Sequence, residues 1–248
     1  MRRFALLFLL AVAAGIHAEA LLKPLPQPPL GTLPKDRAEA LADARAKFDQ
    51  VRTNLVGADL AAAYAEIGAL YAREGFVDAA EAALYDATQL APQDGRWVYL
   101  QGVLADSRKQ PTVALGYFER AFKLDADYVP IRIALATALF AQGQLDRAAG
   151  LVDEYLAKAK DQPKVYALKG EIELRRKRYA DAVAAIEQAL KLDPMANKLQ
   201  GLLAEAYAGQ GNAAAAAQAR AQAGDVPPRL ADPLGLSVLP ASAAPAAT

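Results

Sequence analysis

Small residues recur along this chain at a spacing of 34 positions, and this period constrains the fold more than any other feature. Two sets keep the spacing without an insertion: Gly68, Gly102, Ala136, Gly170 and Ala204, and Ala80, Ala114, Ala148, Ala182 and Ala216. Alanine fills 60 of the 248 positions, so five alanines in register at a given phase arise by chance roughly once in a thousand. Two further sets share the period: Gly75, Gly143 and Gly211, and the apolar Leu84, Phe118, Val152 and Ile186. One structural unit is therefore repeated about five times.

Each unit has the pattern of two antiparallel helices joined by a tight turn. The small residues let the two helices approach closely, and the glycine of the third set takes the positive φ that reverses the chain. We expect the larger apolar residue of the second helix to fill the space between neighbouring pairs. Pro92 and Pro194 end that helix. Because one pair cannot bury its apolar face alone, the pairs must stack. The sequence predicts an all-α, right-handed superhelical solenoid of about five repeats.

Two of the units resemble the tetratricopeptide repeat. The first, at 61–94, carries Tyr64, Ile67, Gly68, Tyr71, Gly75, Ala80, Leu84, Ala87, Leu90 and Pro92. The second, at 163–196, carries Tyr166, Gly170, Tyr179, Ala182, Ala189, Leu190, Asp193 and Pro194. The units at 95–128, 129–162 and 197–224 are more degenerate but keep the spacing. The resemblance covers about two-thirds of the chain and implies a repeat domain at 58–224, in a tetratricopeptide repeat protein of the bacterial cell envelope. It says little about function, because this architecture serves many partners.

The first 20 residues have the pattern of an export signal. Arg2 and Arg3 precede an apolar run from Phe4 to Ala14, and small residues then allow cleavage after Ala18 or Ala20. The alternative is a membrane anchor, but the run is shorter than the roughly 20 residues that span a bilayer. We expect a periplasmic protein without stable membrane insertion after cleavage.

A proline-rich linker at 21–35 is predicted to follow the signal as an extended spacer. An N-terminal capping helix is predicted at 36–57, with Asp36 and Glu39 as a capping box and Gly57 as its left-handed stop. At the other end, Arg220 replaces the bulky apolar residue of the repeat, as an exposed last helix requires. Residues 225–248 are rich in Ala and Pro, so we expect a disordered tail, in which the apolar run 234–239 is a candidate for docking.

The residue inventory argues against catalysis. There is no Cys, and the single His, His17, lies in the export signal. This excludes His-dependent and Cys-dependent nucleophilic catalysis and the usual metal ligands from the mature chain, so no cofactor and no metal are expected. Only carboxylates such as Glu171 and Glu173 remain, and at a spacing of two they point in different directions on a helix. With 28 basic and 28 acidic residues the net charge is zero, which argues against nucleic-acid binding.

Two surfaces are candidates for contact with a partner. In tetratricopeptide arrays the first helix of each repeat lines a concave groove. This resemblance places six residues in an apolar groove that binds another protein, namely Tyr99, Val103, Ile133, Thr137, Phe140 and Leu174. The alternative is that these residues are buried between helices. A basic turn, Arg175, Arg176, Lys177 and Arg178, is the second candidate, for an acidic partner or anionic lipid, against the alternative of a solvated turn.

These observations favour a periplasmic scaffold or adaptor that helps to assemble an envelope complex. One alternative is a chaperone-like holder of an unfolded exported substrate, such as an apocytochrome or a pilin-like subunit. A carboxylate-dependent enzyme acting on envelope glycans is the other. The sequence leaves the partner and the oligomeric state open.

Overall fold

The computed structural model describes residues 22–230, and within this range the chain forms eleven α-helices, a short 3-10 helix at Leu30–Thr32 and no strand. The α-helices are α1 (Lys35–Val51), α2 (Gly57–Arg73), α3 (Val77–Leu90), α4 (Gly95–Ser107), α5 (Pro111–Leu124), α6 (Val129–Ala141), α7 (Leu145–Lys158), α8 (Pro163–Arg175), α9 (Tyr179–Leu192), α10 (Lys198–Gly209) and α11 (Ala213–Ala221). The predicted export signal and the apolar run at 234–239 lie outside the described residues.

The helices belong to two compact units, an N-terminal unit that ends at Ala126 and a C-terminal unit that begins at Asp127. In the N-terminal unit α1 packs on α2, and the pairs α2/α3 and α4/α5 follow. The C-terminal unit contains the pairs α6/α7, α8/α9 and α10/α11. First helices of successive pairs are neighbours within each unit, since α2 contacts α4, and α8 contacts both α6 and α10. The predicted all-α repeat fold is confirmed, whereas the handedness of the array stays a prediction.

The 34-residue period reflects close contacts between the two helices of each pair. All five alanines of the second-helix set are at most 3% exposed. A Cβ atom added to Gly68, Gly102 or Gly170 would lie 3.2, 2.5 or 2.4 Å from the side chain of the residue 16 positions later, which is Leu84, Phe118 or Ile186. The larger apolar residue therefore packs against the first helix of its own pair. Our expectation that it fills the space between neighbouring pairs missed this contact.

The turn inside each pair uses the left-handed backbone conformation at five positions, two more than the glycine pattern revealed. Gly75, Gly143 and Gly211 have φ of 83°, 76° and 78°, as predicted. Lys109 and Lys177 occupy the same register with φ of 59° and 60°. The turn therefore keeps its geometry at the two positions where lysine stands in place of glycine, and there the backbone conformation costs energy that it would not cost for glycine.

An ion pair recurs 68 residues apart, once in each unit. Arg108 of the second pair binds Asp78 of the first at 2.8 Å and Glu81 at 2.5 Å. Arg176 occupies the equivalent position two repeats later and binds Asp146. Both contacts join the turn of one pair to the start of the second helix of the preceding pair. They add to the apolar packing between repeats.

The ends of α1 differ from the prediction. The helix begins at Lys35 after Pro34, and Asp36 makes no capping hydrogen bond but lies in the first turn, where a carboxylate favours the positive end of the helix. The helix ends at Val51. Gly57 does adopt a left-handed conformation, with φ of 57°, but it starts α2 and does not stop α1.

Both chain ends within the described range are held against the helices. Residues 22–29 run along the N-terminal unit, where Arg45 binds the carbonyl oxygens of Leu25 and Pro26. The predicted disordered tail is wrong for residues 225–230, which are bound to the loop between α9 and α10. The buried Asp193 carboxylate accepts hydrogen bonds from the backbone N–H and the Nε of Arg229, at 3.0 and 3.1 Å.

Candidate functional site

The first helices of the C-terminal unit form the face most suited to a partner. Because α8 contacts α6 on one side and α10 on the other, these three helices lie side by side. We call this face the first-helix wall, and it carries Thr137 and Phe140 of α6, Glu171 and Arg175 of α8, and Lys198 of α10. Thr137 and Arg175 are exposed, and Phe140 is half-buried.

A cation–π contact shapes the apolar part of this wall. The guanidinium carbon of Arg175 lies 5.0 Å from the centroid of the Phe140 ring. Contacts of this kind contribute about 0.5–1 kcal/mol at exposed sites. Phe140 is half-buried, so part of this residue remains accessible beside the arginine. The wall therefore offers an aromatic surface with a positive charge at its edge.

A partly buried carboxylate lies farther along the same wall. Burial raises the pKa of Glu171, while the positive charges of Lys164 and Lys198 act in the opposite direction. Glu173, two residues on, is buried, accepts a hydrogen bond from Arg176 at 3.2 Å and lies 3.6 Å from Arg178. The two carboxylates thus have different surroundings: Glu171 faces lysines of the wall, and Glu173 is held by arginines of the turn.

The six residues predicted for the groove differ in accessibility. Tyr99, Ile133 and Leu174 are 3%, 6% and 9% exposed. The Tyr99 ring packs against Phe118, with centroids 6.0 Å apart. Val103 and Phe140 are half-buried, and Thr137 is exposed. Val103 lies in the N-terminal unit, and Thr137 and Phe140 lie in the C-terminal unit. The groove stays a prediction, and three of its six residues are accessible.

The basic turn is largely engaged inside the protein. Arg176 donates to the Leu145 carbonyl at 3.3 Å and to Glu173 and Asp146 carboxylates. Arg175 covers Phe140, and Arg178 pairs with Glu173. Lys177 is exposed and adopts the left-handed turn conformation. Sequence reasoning could not anticipate these partners, since Asp146 lies 30 residues away. A contact with an acidic partner or lipid stays a prediction, centred on Lys177 and Arg178.

The described residues form stacked helix pairs and no strands, and each pair contains a left-handed turn at 34-residue intervals. This defines an all-α repeat protein of the class that binds other proteins. Two family profiles, both for the tetratricopeptide repeat, match residues 107–172 and 167–226. The chain is a tetratricopeptide repeat protein. No curated protein sequence matches it.

Several solved structures share this fold. PilW, described as a widely conserved type IV pilus biogenesis factor, aligns with a TM-score of 0.63 at 18% identity over 75% of this chain and 86% of PilW. MamA from Desulfovibrio magneticus RS-1 aligns with a TM-score of 0.59 at 19% identity over 65% of this chain and 92% of MamA. PilF of Pseudomonas aeruginosa aligns with a TM-score of 0.59 at 18% identity, over 71% and 76%. At these identities the likeness shows the fold alone.

Among the described residues, no helix combines the length and the apolar character that crossing a membrane requires.

Proposed function

We propose that this protein is an exported, periplasmic scaffold or adaptor that holds a partner protein on the first-helix wall and assists assembly of an envelope complex. The observation that carries the proposal is the wall itself, where adjacent first helices present Thr137 and a partly open Phe140 beside Arg175. Aromatic residues and arginine are both enriched in protein interfaces. The residue pattern at 1–20 supports export.

A photocrosslinking amino acid at an exposed position tests the wall without introducing a charged residue into the core. Placed at the exposed Thr137, it should capture a discrete partner in cells. The matched control is Ala157, an exposed position on α7, the second helix of the same pair. We expect a crosslinked species at least tenfold more abundant at Thr137 than at Ala157, and reduced when Phe140→Ala is added. Equal capture at both positions would contradict the assignment of the wall. Tyr99 is unsuitable for this test, because a charged residue at a position only 3% exposed would disrupt packing.

Export is tested separately. Residues 1–20 fused to alkaline phosphatase, an enzyme that becomes active only after export, should give activity in intact cells. The sequence of the mature N-terminus then identifies cleavage after Ala18 or Ala20. A cytoplasmic, uncleaved product would refute the periplasmic location.

A second candidate is a holder of an unfolded exported substrate. The fold shared with PilW, a type IV pilus biogenesis factor, favours a pilin-like subunit as that substrate. Such a holder would bind many peptides from one substrate class transiently, whereas a scaffold captures one folded partner. A peptide array that covers a pilin-like protein and an apocytochrome distinguishes the two functions. A holder should bind several peptides of one substrate, whereas a scaffold should bind none.

A further inference from the structure

The proline-rich residues 22–29, named here the N-terminal strap, occupy a groove on the N-terminal unit. The strap reads Leu-Lys-Pro-Leu-Pro-Gln-Pro-Pro, so half of its residues lack a backbone N–H. It is extended and contains no helix or strand. Leu25 and Pro28 are half-buried, while Pro24, Pro26 and Gln27 are exposed. The strap is therefore a surface ligand of the helices and not part of the core.

The groove binds the strap chiefly through its main chain. Asp86 of α3 accepts a hydrogen bond from the backbone N–H of Lys23 at 2.9 Å. Arg45 of α1 donates to the carbonyl oxygens of Leu25 and Pro26 at 3.3 and 3.1 Å. The strap thus presents one backbone N–H to a carboxylate acceptor and two carbonyl oxygens to a single guanidinium donor.

The groove residues are set in place by their own contacts. The Arg45 guanidinium is fixed by Asp49 at 2.8 Å and by the Tyr71 hydroxyl at 2.9 Å. Asp86 is 0% exposed, and its Oδ2 atom has no hydrogen-bond partner among the described residues. A carboxylate buried under the strap with an unused oxygen is a costly group for the fold alone, which indicates a role in holding chain segments.

The groove also contains a cavity and has two tyrosines, Tyr71 and Tyr85, beside the strap. A cavity of about 310 Å³ lies between the strap and α1, lined by Gln27, Pro28, Leu30, Leu41, Ala42, Arg45, Ala46, Asp49 and Tyr71. The Lys23 ammonium lies 4.1 Å from the centroid of the Tyr85 ring. Aromatic side chains beside polar donors are typical of sites for proline-rich peptides.

We propose that this groove is a binding site for an extended, proline-containing segment of a partner protein, and that the chain's own strap is its tethered competitor. Because the groove recognises one backbone N–H and the carbonyl groups two and three residues later, any extended segment with these groups at the same spacing can bind. Tethering gives the strap a high effective concentration, so a partner segment binds only when the strap is weakened or the partner is itself held nearby. This site is separate from the first-helix wall and does not depend on it.

The test uses the labelled peptide Leu-Lys-Pro-Leu-Pro-Gln-Pro-Pro and the full mature chain, with binding followed by fluorescence anisotropy. Lys23→Pro removes the N–H that binds Asp86 and weakens the chain's own strap. Pro24→Ala is the matched control, because it changes an exposed residue of the strap that does not line the 310 Å³ cavity. We expect the Lys23→Pro variant to bind the peptide at least tenfold more tightly than the wild type or the Pro24→Ala variant.

Two further measurements assign that binding to the groove. Asp86→Ala in the Lys23→Pro background should weaken peptide binding about tenfold, and so should proline in place of lysine in the peptide. The proposal would be overturned if the wild type and the Lys23→Pro variant bound the peptide with equal affinity. It would also be overturned if Asp86→Ala left the affinity for the peptide unchanged. Sedimentation of the Lys23→Pro variant without peptide should show a monomer fraction equal to that of the wild type. A dimer found only in the variant would assign the groove to a second copy of the chain and refute the partner segment.

Discussion

Gly170→Ala tests the close helix contact that underlies the repeat. Gly170 lies on α8, where an added Cβ would be 2.4 Å from Cγ1 and 3.2 Å from Cδ1 of Ile186 on α9. Cγ1 is bonded directly to Cβ of the isoleucine, so it cannot move away without leaving a staggered rotamer or shifting the helix. Ile186 is 0% exposed, which leaves no solvent-filled space to accept it. Gly201 on α10 is the matched control, because a Cβ added there would have no neighbouring atom within 4 Å.

The expected changes in the free energy of unfolding have opposite signs. Alanine in place of glycine inside a helix stabilises by about 0.5–1 kcal/mol, and Gly201→Ala should show this gain. Gly170→Ala has the same gain but adds overpacking that costs about 1–3 kcal/mol, so we expect net destabilisation. For a chain of this size each kcal/mol shifts the melting temperature by about 2–4 °C.

Thermal unfolding followed by circular dichroism at 222 nm measures both variants against the wild type. Ile186→Ala supplies a second check, since it removes the obstructing atoms. On its own this truncation should cost about 2–5 kcal/mol. In the Ile186→Ala background, Gly170→Ala should then raise the melting temperature. If Gly170→Ala and Gly201→Ala shift the wild-type melting temperature in the same direction, the packing explanation of the 34-residue period is refuted.

Three other predictions follow from single residues. Lys177→Gly should stabilise the fold by up to about 1 kcal/mol. The left-handed conformation costs about 1–2 kcal/mol for a residue with a side chain, and part of the gain from removing this cost is offset because glycine loses more backbone entropy on folding. A lower melting temperature than that of the wild type would contradict this prediction. Burial raises the pKa of Asp86 from 3.8 to about 6, so the folded protein binds this proton more tightly than the unfolded chain. The stability from this site is complete below about pH 4 and is lost as the pH rises through about 6; urea midpoints at a series of pH values should show this component in the wild type and not in Asp86→Asn. Hydrogen bonds from Arg229 lower the pKa of Asp193, so its contribution is present at neutral pH and is lost as the pH falls through the lowered pKa. Asp193→Ala should release Arg229, and hydrogen exchange at neutral pH should show the Arg229 amide exchanging at least tenfold faster; unchanged protection of this amide would refute the role of Asp193.

The period predicted the helix pairs because packing against a neighbour restricts residue size at fixed positions. Ala80 and its counterparts are buried as the pattern requires. The turns were predictable only where glycine remains. At Lys109 and Lys177 the backbone follows the geometry of the pair, which overrides the local preference of lysine, so residue type carried no signal there.

The candidate site was less predictable than the fold. Projection onto a repeat geometry proposed residues of α4, α6 and α8 for the groove, but it could not distinguish a residue at the surface from one covered by a neighbour. Tyr99 is covered by Phe118, whereas Thr137 is exposed. The partners of the basic turn and of the strap were also missed, because Asp146 and Asp86 are distant in sequence from the groups they bind.

The helix pairs and the class of protein follow from the residue pattern, because the size of a buried side chain and the conformational freedom of glycine are local properties that repeat with the fold. Which polar groups meet is set by how the helices pack. Three contacts show this: the strap binds Asp86 and Arg45, Arg229 binds Asp193, and Arg176 binds the Leu145 carbonyl. Each depends on the distance and burial of residues that are far apart in the chain. Hydrogen bonds of that kind leave no periodic pattern in a sequence.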